Sequence, residues 1–213
     1  FEEKLALFAQ LLQNAPVTWS GETRAPLKAQ PVFPLPQQAP IPTWVGVGGS
    51  PESVVRAASH GLPLMLAIIG GAPSRFRGYV DLYHRCFADA NHAVPPIGVH
   101  SPGFIAATDA EARDLYWPAW KAIHNRIGAE RGWPPISREA FEQECDRGSQ
   151  YVGSAETVAR KIAQTVTVLK LSRFDLKYSC GPLAHMHLMD SIHRYGTEVI
   201  PRVHALLAQA NAA

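Results

Sequence analysis

The chain has 213 residues, 46% of them hydrophobic, enough for one domain with a sizeable core. Lys and Arg total 20 against 18 Asp and Glu, a formal charge of +2 without like-charge runs, which speaks against nucleic acid or a membrane surface as a partner. No apolar run approaches the ~20 residues of a bilayer crossing, and three scattered cysteines (Cys86, Cys145, Cys180) fit a reduced, cytoplasmic protein.

The chain opens Phe1-Glu2-Glu3-Lys4, without Met and already in helical register, with Leu5, Phe8, Leu11 and Leu12 on one face. That start suggests a piece of a longer protein. Residues 17–40 carry prolines at 26, 31, 34, 36 and 40 and read as a loop, apart from a short strand at 17–19. Residues 44–47 form the first clear strand. A glycine turn, Gly48-Gly49, leads to a helix over 51–60 with Ser50 as N-cap, Pro51 in its first position and Glu52 in its first turn.

Residues 64–69 are a continuous apolar run closed by Gly70-Gly71, as in a strand buried on both faces. A helix over 74–88 follows, with Phe76, Val80, Tyr83 and Phe87 on one side. A third strand covers 97–100 and ends at Ser101-Pro102-Gly103. A long helix spans 109–131, with Pro118 expected to kink or split it. A shorter helix over 137–144 completes a helical insertion at 101–150. Ser154 caps a helix reaching about 171, a fourth strand covers 174–178, and a closing helix, single or broken around Pro201, runs over 185–209. Four strands alternating with helices predict an α/β fold with a parallel sheet and right-handed crossovers.

The stretch 44–69 (Trp44-Val45-Gly46-Val47-Gly48-Gly49-Ser50-Pro51-Glu52-Ser53 onward), the stretch 151–182 and the stretch 195–202 resemble the bacterial-luciferase-like flavin-dependent monooxygenases. The resemblance covers nearly the whole chain and implies a (β/α)8 barrel of TIM type. Residues 1–213 would be one domain holding strands five to eight with their helices, a half-barrel. Residues 1–40 would be the end of helix four and a proline-rich connection, and 101–150 an insertion between strands seven and eight.

The resemblance places the phosphate of reduced flavin mononucleotide (FMN) at Gly48, Gly49, Ser50 and Ser53. Independent physics points the same way: glycines admit close approach, free helix-start amides point at an anion, and hydroxyls add donors. The plain alternative is that Ser50 only caps the helix and Ser53 satisfies a free amide. Ile69 and Gly70, at the next strand end, are candidates to meet the flavin, because barrel sites gather at strand carboxyl ends. His100 is the one candidate catalytic residue, against the reading that it is structural.

Lys177 needs an anionic partner if it points inward, with Asp175 the simplest one. Trp117, Trp120 and Trp133 are expected to pack a core, with cover of the active-site mouth as the alternative. The His84/His92 and His185/His187 pairs lack ligand spacing and no metal site is expected. The absence of a Gly-x-Ser-x-Gly elbow disfavours a hydrolase.

The implied function is oxidation of a small organic substrate with reduced FMN and O2, the flavin supplied by a separate reductase. A deazaflavin (coenzyme F420)-dependent hydride transferase is the alternative within the fold, and an inert fragment the alternative outside it. Two bare sheet edges predict a homo-oligomer or a complementing N-terminal half.

Overall fold

The computed structural model describes residues 1–39, 41–88 and 93–212, without the side chain of residue 211; His92 lies outside them. Seven strands and eight helices follow in the order α1 (Glu2–Leu11), β1 (Val17–Trp19), β2 (Leu27–Gln30), β3 (Val45–Val47), α2 (Pro51–Ser59), β4 (Leu64–Ala67), α3 (Arg77–Arg85), β5 (Ile97–Ala106), α4 (Asp109–Arg131), α5 (Arg138–Asp146), β6 (Tyr151–Ser154), α6 (Ala155–Leu169), β7 (Arg173–Lys177), α7 (His185–Arg194) and α8 (Ile200–Ala212).

The main sheet has five parallel strands. β3 pairs with β4, β4 with β5, and β5 with both β7 and β6. Its outer face carries the core. Leu64, Leu66, Ile68, Ile97 and Val99 pack beneath Val54 and Ala57 of α2 and Val80 and Tyr83 of α3. In α2 the buried residues fall at 54, 57 and 58, the spacing that puts side chains on one helical face. Removing each fully buried Leu or Ile from water contributes about 1.5–3 kcal/mol.

The inner face is different. Strand alternation puts Trp44, Met65, Gly98, His100, Arg173 and Asp175 there, and Met65, His100 and Asp175 are only half-buried, Arg173 exposed. At Gly98 a Cβ would come within 2.9 Å of Met65 Cε and 3.1 Å of Trp44 Cζ3, so a side chain there would push the Met65 tip and the Trp44 ring aside.

Several expectations are corrected. The segment 17–40 is not a plain loop: β1 and β2 form an antiparallel pair, and Val17 and Trp19 bury against Leu7 of α1. On α1 itself Leu5 and Leu7 are buried while Phe8 is exposed, so the buried face is rotated from the one expected. The strand expected at 97–100 continues to Ala106. Pro102 is tolerated because the ladder changes partner there, with β7 pairing up to Pro102 and β6 from Gly103 onward.

Pro118 does not split α4, which is continuous over 23 residues. The strand β6 lies where only a helix start was expected, although Ser154 does cap α6. The closing helix is continuous from residue 185 to 212, passing through a π-helical turn at Tyr195–Val199, and Pro201 does not break it. α4 and α6 are tied at their starts: Asp109 accepts from the Ser154 amide at 2.6 Å and the Thr157 hydroxyl at 2.9 Å. Partial burial works against its charge, but these donors hold its carboxyl below the usual value.

Candidate functional site

The carboxyl ends of β3 and β4 and the second half of α4 border a cleft of about 430 Å³. Gly48, Ile69 and Gly70 line it from the strands; Trp120, His124 and Trp133 line it from the helical side. A Cβ at Gly48 or Gly70 would meet nothing within 4 Å, so both backbones face open space. Ile69 is 60% exposed, unusual for a large aliphatic side chain at a strand end. The structure thus gathers three of the candidates, Gly48, Ile69 and Gly70, around one opening.

The other three belong to the adjoining turn. Gly49 has φ +127°, a conformation that disfavours any side chain, and its carbonyl accepts from Tyr79 Oη at 2.7 Å. Ser50 caps α2, its Oγ accepting from the Ser53 amide at 3.2 Å. The same hydroxyl donates to Glu52 Oε2 at 2.8 Å. Glu52 therefore folds back over the cap. Its own amide first, then the Ser50 hydroxyl, hold its carboxyl below the ordinary value.

Arg56, one turn further on, donates to Ser53 Oγ at 3.2 Å and is half-buried between Glu2 and the Phe1 ring. An anion at this turn would meet Ser53, Arg56 and the glycine amides. It would also meet the Glu52 carboxylate unless that exposed side chain swings away. The residues present fit a phosphate on this condition.

His100 lies mid-strand on the inner face, in register with Ala67 of β4 and Asp175 of β7. Ala67 lines the cleft, so His100 stands one strand away from it. Asp175 is not the partner of Lys177. Arg173 Nε pairs with Asp175 Oδ1 at 2.8 Å, and Lys177 Nζ donates to the Ser179 carbonyl at 2.6 Å. Among the described residues no group of three His, Cys, Asp or Glu could hold a metal ion.

Of four residues here, sequence reasoning passed over Arg56 and Glu144 and offered Trp120 and Trp133 only as an alternative cover of the active-site mouth. Arg56 has a readable signal, the spacing Ser50, Ser53, Arg56 on one helical face. Trp120 packs partly in a core with Trp117 and Phe141, Trp133 lies against His124, and both also reach the cleft. Glu144 is the fourth: its carboxylate accepts from the Gly71 amide at 3.0 Å and the Ser149 amide at 2.8 Å, pinning the β4 loop to the end of α5. No local pattern marks a contact 73 residues apart.

A parallel sheet backed by helices on its outer face, open on its inner face and with a cleft at the strand carboxyl ends, is half of a (β/α)8 barrel. A profile of the luciferase-like monooxygenases matches residues 1–169, most of the chain, and the chain belongs to that family. Among solved structures it is similar to a monooxygenase from Streptomyces bottropensis, with TM-score 0.75 and 19% identity over 94% of this chain and 60% of that one. It is similar also to the oxygenating constituent of 3,6-diketocamphane monooxygenase from Pseudomonas putida in complex with FMN, with TM-score 0.66 and 18% identity over 94% of this chain and 62% of that one. A third is the coenzyme F420-dependent tetrahydromethanopterin reductase from Methanopyrus kandleri, with TM-score 0.58 and 14% identity over 95% of this chain and 63% of that one. At these identities the likeness shows the fold. The chain spans about 60% of the length of the first two structures. Comparison with curated proteins gives no match.

Proposed function

We propose that this chain supplies the phosphate-side half of the cofactor site in a flavin-dependent monooxygenase that takes reduced FMN from a separate reductase. One observation carries the reading: open glycine backbone at Gly48 and Gly70 stands beside a capped helix start holding Ser53 and Arg56. Ser53 and Arg56 would hold the phosphate, the amides of Gly48 and Gly49 would add donors, and Ile69 and Gly70 would take the edge of the ring. Bound reduced flavin supplies the reaction with O2 that oxidises a small organic substrate. The chain's own part is to orient the cofactor, exclude water with the cleft walls and present His100 from the inner face.

The likeness to a coenzyme F420-dependent reductase supports a second reading, hydride transfer from a deazaflavin at the same strand ends. We place the protein in the cytoplasm, in keeping with three free cysteines; no helix among the described residues is long and apolar enough to cross a membrane.

Titration of FMN into the chain, followed by quenching of flavin fluorescence, tests the reading. Binding is expected, with Ser53→Ala and Arg56→Gln each weakening it about fivefold to tenfold. Binding of F420 in preference to FMN would favour hydride transfer. No binding of either at high micromolar concentration would make the isolated chain inert.

A further inference from the structure

The helical wall of the cleft is aromatic and carries a cation that has no ion-pair partner among the described residues. Trp120 and His124 lie four residues apart on α4, so their rings meet on one face, with centroids 5.1 Å apart. Gly132, left-handed at φ 71°, reverses the chain, and the Trp133 amide bonds back to the Gly128 carbonyl at 2.9 Å. That turn sets the Trp133 ring 5.6 Å from His124 while leaving it 42% exposed at the mouth. The Nδ1 of His124 is buried without a hydrogen-bond partner, and imidazole nitrogens are seldom left so.

Arg131 stacks on Trp133 at 5.3 Å and makes no ion pair among the described residues. The acid that lines the cleft, Glu144, is already held by backbone amides. Those amides occupy the Glu144 oxygens, and Arg131 is the cation of the wall left without a carboxylate partner among the described residues.

We propose that this wall is the substrate subsite of the monooxygenase inferred above, taking a planar aromatic ring that bears a carboxylate or similar acidic group. Trp120 and Trp133 stack on the ring, Arg131 faces the acidic group, and His124 turns its ring to bring Nδ1 to that group, making the hydrogen bond it lacks in the free protein. The inference rests on the cofactor lying along the strand side of the same cleft.

Calorimetric titration of the full chain with 2-naphthoate, 2-naphthamide and decalin-2-carboxylate tests it. 2-Naphthoate is expected to bind at least about tenfold tighter than either the neutral or the non-aromatic probe. Arg131→Gln removes its advantage over the amide, and Trp133→Leu weakens both aromatic probes. His124→Phe, which keeps the ring, weakens 2-naphthoate about threefold to tenfold. Arg131 and Trp133 are exposed, so an unchanged unfolding midpoint is expected for those two variants.

Equal affinity for the three probes, no binding of 2-naphthoate, or binding indifferent to both Arg131→Gln and Trp133→Leu would overturn the subsite. Competition between FMN and 2-naphthoate would also overturn it, assigning the wall to the flavin ring. If FMN fails to bind while 2-naphthoate behaves as expected, the subsite stands and the flavin reading alone falls.

Discussion

Lys161 shows how a single charge is held in this fold. Its Nζ donates to the carbonyls of Cys145 at 2.6 Å, Gln150 at 2.8 Å and Glu144 at 3.1 Å, capping the end of α5 from α6. Burial lowers its pKa to about 8. Unfolded lysine titrates near 10.4, so between about pH 8 and 10.4 the unfolded chain binds more protons than the folded one. Stability from this group then rises with pH across that window, and below pH 8 its burial cost is constant.

Lys161→Met should destabilise by roughly 2–3 kcal/mol at pH 7 by orphaning three carbonyls. In chemical denaturation the gap to the parent should widen from pH 8 to 10, by at most about 1.4 kcal/mol per pH unit. A gap independent of pH would contradict a depressed pKa. Glu52 gives a second residue-scale test. If the α2 turn holds a phosphate, Glu52→Gln should tighten FMN binding about fivefold by removing a like charge; weaker binding would mean that the carboxylate organises the turn rather than competing for it.

Elements were legible where local chemistry acts alone. Ser50, Ser137 and Ser154 each cap the helix that their sequence context announces. The apolar run at 64–69 yields a strand over Leu64–Ala67 because its neighbours are turn residues and its length suits nothing longer, but it is buried on one face only, not on both as expected. β5 was legible only in its first half. Pro102 and Gly103 look like a stop, and what overrides them is tertiary: β7 and β6 pair with successive halves of the strand. The glycine itself is dictated by that meeting, since a Cβ at Gly103 would lie 2.5 Å from the Tyr151 carbonyl oxygen and 2.4 Å from Leu176 Cδ1. The side chain could yield; the backbone of β6 cannot without breaking its register. Gly103→Ala should therefore cost more than about 2 kcal/mol, read as a lowered thermal midpoint. Of the candidate site, the strand-end glycines were readable from sequence. Of the wall, the sequence offered Trp120 and Trp133 only as an alternative cover of the mouth and did not mark His124, because the wall's position depends on how α4 folds back over the sheet.

At the scale of the whole molecule, the two faces of the sheet are unequal. Leu64, Leu66, Ile68 and Val99 are fully buried on the outer face, whereas the inner face leaves Met65, His100 and Asp175 half-covered and Arg173 exposed beside Trp44. Parallel sheets are ordinarily covered on both faces. Among the described residues β3 pairs only with β4 and β7 only with β5, so each leaves an open ladder. Beside α1, Phe8, Val32, Phe33, Leu35 and Ile41 are 40% to 74% exposed around an apolar groove of about 330 Å³. Open edges, an uncovered face and an apolar groove all favour association. The chain is accordingly expected to form a dimer or larger assembly, or to take up a polypeptide that completes the barrel. Sedimentation equilibrium at micromolar concentration decides the first case. Met65→Lys, which places a charge in the middle of the inner face, should shift any assembly toward monomer while leaving helical circular dichroism unchanged. A compact monomer that binds no complementing chain would show that this half-barrel is stable with its inner face in water, and the prediction would fail.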